Sequence, residues 1–183
     1  MMSEAWYRTA GAQEALTQGD LIYGCPVLSW TTSALKSTSG SVAAVLSLGE
    51  HVIAEARDLV VMTQACDLEH AKVMSVVLCP HYGLDEFKGA WEEDQRSKGQ
   101  NPTAKAWRRY CDEICEGTIW NLNLLNAQGD GAIEVGHRIV DFHEVFTLPR
   151  PVLEALLTAR ASPVPNCSLL IGNISHRHSP GSS

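Results

Sequence analysis

The 183-residue sequence predicts an α+β fold: a small, partly open β-barrel-like core, interrupted mid-chain by two helices and followed by a C-terminal helix. Apolar runs of strand length recur on both sides of the middle. The middle itself, from Leu84 to Gly117, turns to charged, helix-forming composition. After Pro149 the apolar residues return at helical spacing. With 45% hydrophobic residues the chain is long enough for one sizeable core and short for two. The expectation is a single globular domain over residues 1–160 and an aperiodic, mobile tail over residues 161–183.

The first strand is read in "GDLIYGCPVLSW", Gly19 to Trp30, which opens on a turn signal and is interrupted near Cys25 and Pro26. A polar loop, "TTSALKSTSGS", separates it from "HVIAEA" and "LVVMTQ", the latter a continuous apolar run suited to an interior strand. "KVMSVVLCP" is the next, and the shortness of the Ala65–Ala71 connection predicts that these two runs are neighbours in one sheet. "LDEFKGAWEEDQRSK" carries Leu84, Phe87 and Trp91 at helical spacing. "TAKAWRRYCDEICEG" does the same with Ala104, Trp107, Cys111 and Ile114, and Gly117 supplies its stop. Strands resume in "TIWNLNLLN" and "IEVGHRIVDFHEVFTL". "PRPVLEALLTAR" gives the last helix, with Val152, Leu153, Leu156 and Leu157 as its apolar stripe. Beyond Arg160 periodicity is lost and Ser and Pro accumulate, although Leu169 to Ile171 has the character of one more short strand.

Charge narrows the function classes. A formal charge of -7 and a pI near 5.4 oppose broad affinity for nucleic acid or anionic membranes. Nucleic acid is left only a local patch at Lys105, Arg108 and Arg109, interleaved with Trp107 and Tyr110, and a solvated helix face of mixed charge is the better default for that cluster. The start of the sequence lacks the apolar run of a secretory signal, and no later run reaches the ~20 apolar residues of a membrane span. The expected setting is therefore cytoplasmic, with the six cysteines as reduced thiols.

Three constellations carry candidate chemistry. Cys66, His70, Cys79 and His81 form C-x3-H followed by C-x-H, an inventory that zinc accepts, at a spacing unlike the paired C-x2-C of established zinc sites. Cys66 with Asp67 falls just past a strand end, where a thiolate can be stabilised by backbone N–H groups and an imidazole, with His70, His81, His137 or His143 as the base. Asp67 is explained as simply by capping the turn that follows. Asp141 and His143, two apart on one strand face, could pair a carboxylate with an imidazole for proton transfer, against the plainer reading of a polar face over buried Val140, Phe142 and Phe146. No cofactor is expected apart from the alternative of zinc.

"QGDLIYGCPVLSW", "VVMTQACDLEHAKV" and "WNLNLLN" together resemble a group of small bacterial proteins without an assigned activity, over most of Leu16 to Arg160. That group continues past its last helix into a Pro-Tyr-Arg segment and another amphipathic helix. The aperiodic tail here departs from it, as a change of reading frame near Pro163 would produce. "GDLIYGCPVLS" is also similar to the opening strand pair of the PemK/MazF-like toxin ribonucleases, SH3-like barrels that cut RNA without a metal. Cys25 stands where that family places an Arg, and no matching Arg/Thr pair is visible, so the resemblance implies SH3-like topology more than nuclease activity. The resulting expectation is a bacterial intracellular interaction or regulatory module with a protein partner and no catalytic activity. The alternative is a hydrolase, either a Cys66-dependent thiol enzyme or a divergent toxin-like ribonuclease.

Overall fold

In the computed structural model, residues 7–9, 15–30, 52–128, 134–160 and 169–172 are described. The fold is α+β. Eight strands form one antiparallel sheet: β1 (Tyr7–Thr9), β2 (Asp20–Trp30), β3 (Val52–Val61), β4 (Ser75–Gly83), β5 (Leu122–Leu125), β6 (Arg138–Asp141), β7 (Phe146–Pro149) and β8 (Leu169–Gly172). The helices are α1 (Ala65–Glu69), α2 (Leu84–Ser97), α3 (Ala104–Cys115) and α4 (Arg150–Arg160). Strand order is β1-β8-β2-β3-β4-β6-β5, with β7 also on β4. The sheet is not closed into a barrel by backbone pairing. Its end regions are instead bridged by one side chain. Gln128 accepts from the Tyr7 N–H at 2.6 Å and donates to the Tyr7 carbonyl at 3.0 Å.

The two helices expected mid-chain and the helix after Pro149 are present. Thr103 caps α3 by accepting from the Ala106 N–H at 3.2 Å, and Gly117, at φ 72°, provides the left-handed residue that ends it. The adjacency expected of the two central apolar runs is also observed, as Leu59↔Pro80, Val60↔Cys79 and Val61↔Leu78. Leu169–Gly172, inside the segment read as a mobile tail, pairs with β2 on one side and β1 on the other. The residues around it, 161–168 and 173–183, lie outside the described residues, as does the polar loop after Trp30.

One sequence reading needs correction. "HRIVDFHEVF" was expected to alternate as one strand, but the pairing breaks between β6 and β7. From His81↔Val140 to Leu78↔Phe146 the chain uses six residues (146 − 140) to pass three (81 − 78) on β4. The cause is local: the Asp141 carboxylate accepts from the His143 backbone N–H at 2.8 Å, a turn that competes with the ladder.

The sheet buries both faces. On one, Ile22, Cys25, Val27, Leu59, Val61, Val76 and Leu78 pack with Leu68 of α1 and Leu153 of α4. Farther along the same face Ile139 packs with Ile114 of α3 and with Leu84 and Phe87 of α2. The opposite face gathers Tyr7, Leu21, Val60, Cys79, Leu125, Val135 and Val140.

Candidate functional site: a fork between two strands

β3 and β4 part company after three residue pairs. Past Leu59, residues 52–58 pair, among the described residues, only with β2, as the two-stranded arm Cys25↔Arg57 to Trp30↔Val52. β4 meanwhile pairs with β6 through His81↔Val140, Tyr82↔Ile139 and Gly83↔Arg138. The divergence opens a cleft of about 340 Å³ lined by Glu55, Ala56, Arg57, Asp58, Pro80, His81, Tyr82 and Glu86.

The backbone edge facing this fork can be read from its neighbours. The Met62 N–H donates to Val77 of β4 at 2.9 Å, whereas the Val61 carbonyl accepts from Gly19 at the β2 end, also at 2.9 Å. Backbone direction alternates along a strand, so Ala54, Ala56 and Asp58 turn their N–H and C=O groups toward the fork. Pro26 opposite Ala56 fits this phase, because a residue without an N–H sits best where the pair exchanges no hydrogen bond.

At the root of the fork lies a polar cluster on the Tyr7/Val60 face of the sheet. Arg138 donates from Nη2 to Asp58 Oδ2 at 2.8 Å and from Nε to His81 Nδ1, and its guanidinium lies 4.9 Å from the centre of the Tyr23 ring. Asp58 Oδ1 accepts from the Gly24 N–H at 2.9 Å. Gly24, at φ 57°, occupies the irregularity in the β2–β3 register that makes this approach possible. Tyr23 meets the His81 ring edge-to-face at 5.3 Å. His81 is 1% exposed. Burial and then the Arg138 charge push its pKa down to about 3, with the Leu59 backbone a smaller opposing influence. The imidazole is therefore neutral near pH 7, and because Nδ1 accepts from Arg138, the ring hydrogen sits on Nε2. Among the described residues Nε2 has no well-formed hydrogen bond, the Leu59 backbone being only a weak contact.

On the other face Arg57 pairs with Glu55 at 3.0 Å, and its buried Nε lacks a partner among the described residues. The Tyr82 hydroxyl donates to Glu144 at 3.3 Å. Burial, then Glu144, pushes the Tyr82 phenol up to about 12, and burial followed by Tyr23 does the same to Tyr7. Glu86, at the start of α2, accepts from the Gly83 N–H only at 3.4 Å.

The residues singled out in the sequence are dispersed. Cys66 and Asp67 lie in α1, where the exposed Cys66 sulfur is 3.8 Å from Gln64 Oε1 and from Asp67 Oδ1, and among the described residues no imidazole is one of its partners. Asp67 is inside the first turn of α1 rather than capping it. His70 is exposed at the end of that helix. Cys79 and His81 share the face opposite the one against which Leu68 of α1 packs, so the sheet stands between the two halves of the C-x3-H and C-x-H pattern. Burial, then Asp141, raises the Cys79 thiol pKa. Among the described residues no three His, Cys, Asp or Glu side chains come together as a metal-binding group. Asp141 engages the backbone of His143, whose ring meets Asn121 Nδ2 at 2.9 Å and the edge of Trp120. Lys105, Arg108 and Arg109 are exposed on α3, with Arg109 paired to Glu113 at 2.9 Å.

The sequence reading missed Asp58, Arg138, Arg57 and Tyr23. The available signal was positional: Asp58 immediately precedes "LVV" and His81 follows "VLCP", so antiparallel pairing of these runs places them at the same end. Set against known protein families, curated proteins and solved structures, the chain matches none. Among the described residues no helix is long and apolar enough to cross a membrane.

Proposed function

We propose that the protein is a non-catalytic interaction module whose binding site is the fork between β3 and β4. The observation that carries this reading is the cleft's combination of a strand edge unpaired among the described residues with a polar cluster already committed to itself. Asp58 is taken by Gly24 and Arg138, and His81 Nδ1 by Arg138. A general base needs a free lone pair and a pKa near the working pH, and His81 offers neither. The cluster instead stiffens the root of an opening that has backbone donors and acceptors to offer. An SH3-like origin for the β2–β3 pair, and a bacterial intracellular setting, belong to the same proposal. The thiol-hydrolase alternative is weakened by the partners of Cys66, which among the described residues are the Gln64 and Asp67 side chains, and the ribonuclease alternative by the mixed charge of the cleft.

The test places a photo-crosslinking side chain at Ala54, beside the fork, and at Arg108 on α3. A discrete adduct from position 54 that Ala56→Pro removes is the expected result. Adducts from position 108 alone would refute the assignment, as would Cys66-dependent turnover of single-stranded RNA or of p-nitrophenyl acetate.

A further inference from the structure

Resting on the fork as the binding site, we infer that its ligand is an extended peptide strand whose side chains alternate apolar and basic, adding to the open edge of β3. The alternation follows from what flanks that edge. A strand laid beside residues 54–58 extends one set of side chains next to Ala54 and Ala56 and the other next to Glu55 and Arg57. The first side continues into an apolar strip of the arm, where Leu28 (71% exposed) is opposite Ala54 and Trp30 (60% exposed) is opposite Val52. The second side is acidic in balance, since Glu55 already holds Arg57, which leaves Glu86 with one long contact from Gly83. A Lys or Arg of the ligand supplies the missing cation.

The backbone chemistry points the same way. Among the described residues Arg57 Nε is a buried N–H donor without an acceptor, and buried His81 Nε2 has only the weak influence of the Leu59 backbone; both residues line the cleft. A buried donor left unmet is costly, and a peptide carbonyl is a fitting acceptor. The N–H and C=O groups of Ala56 would meanwhile enter a ladder of the kind that Val60 and Met62 make with β4. A free anion would satisfy the two donors but would meet Glu55, Asp58 and Glu86; a free cation would satisfy Glu86 and leave both donors unmet. A strand carrying a basic side chain answers both requirements.

The experiment is a titration of the isotope-labelled full chain with the capped peptide Thr-Val-Lys-Val-Lys-Val-Thr, followed through backbone amide resonances. The expected result is saturable shifts at Ala54, Ala56 and Asp58, with binding weakened at least about tenfold when the lysines are replaced by glutamates. Glu86→Gln should weaken the lysine peptide severalfold. Ala56→Pro should abolish its binding, since it removes a fork-facing N–H at a position that gives none to β2. Should that variant fail to fold, methylating alternate peptide nitrogens serves instead: one of the two alternations should abolish binding and the other should not. Equal shifts from a capped single lysine would reduce the site to a cation pocket and overturn the inference. Shifts of the same amides on raising protein concentration alone would assign the edge to a second copy and also overturn it. If no peptide binds while crosslinking from position 54 persists, the fork remains a binding site and the strand ligand is wrong.

Discussion

β3 is one strand with two different fates. Leu59, Val60 and Val61 lie between β2 and β4 and are each 0% exposed, whereas residues 52–58 keep only β2, and Ile53 is 47% exposed. Composition alone does not separate the halves, since "VIA" is as apolar as "LVV". What separates them is the second neighbour. Where β4 pairs, alternation disappears because both faces and both edges are covered. Where β4 diverges, charge appears at Glu55, Arg57 and Asp58 along with an unpaired edge, and edges of that kind are either protected or used. The half that stabilises the fold and the half assigned here to binding thus differ in pairing before they differ in chemistry.

The largest expected effect comes from the paired half. Leu59→Ala should destabilise by about 3 kcal/mol, the range of fully buried leucine truncations, measured as a lowered midpoint in urea without a change in slope. If Leu59→Ala cost no more than Ile53→Ala, the contrast between the halves would be wrong.

The second effect tests the root of the fork through pH. His81 titrates near 6.5 when unfolded and at about 3 when folded, so between those values the unfolded chain binds the extra proton. Stability must then fall as pH falls from about 6.5 toward 3, by about 1.4 kcal/mol per pH unit at most. His81→Gln has no ring to protonate. The difference between wild type and variant should shrink steadily as pH drops from 7 to 4, isolating this residue from the carboxylates that titrate nearby. A pH-independent difference would remove the neutral, buried imidazole from the account.

How much of this was legible in the sequence follows the same division. The apolar runs gave β3 and β4, and their short connection gave their adjacency, because burial on both faces leaves a mark in composition. The fork did not show, because Arg138 lies 57 positions from His81 and 80 from Asp58, and register decides that they meet. His81 was legible only as a member of a Cys/His set, and the pairing of β4 turns it and Cys79 away from the α1 side. The strand break after Asp141 was hidden for a related reason. The period-two pattern of "HRIVDFHEVF" continues across it, while an Asp side chain captures the next turn's backbone.

A third, smaller effect concerns the ion pair that holds the fork's root. Arg138 is mostly buried, but Asp58 retains about a third of its side-chain exposure (34%), so solvent screening discounts the pair. A double-mutant cycle of Arg138→Met and Asp58→Asn should give a coupling of about 1 kcal/mol. Zero coupling would mean that Arg138 acts through Tyr23 and His81 alone.

The smallest effect is expected where the sequence drew most attention. Cys66→Ser exchanges an exposed side chain whose sulfur has only long contacts to Gln64 and Asp67, so stability should change by less than about 0.5 kcal/mol. Cys79→Ser, by contrast, places a hydroxyl at a 3% exposed position among Val60, Leu125 and Val140, where an unmet donor costs about 1 to 3 kcal/mol. The two substitutions are chemically identical and differ only in where the chain carries them. Equal effects would mean that α1 is packed more tightly than its exposure implies, and would reopen the Cys66 turn as a second place to look for chemistry. A large difference, with the Cys66→Ser variant still crosslinking from position 54, would leave binding with the unpaired half of β3.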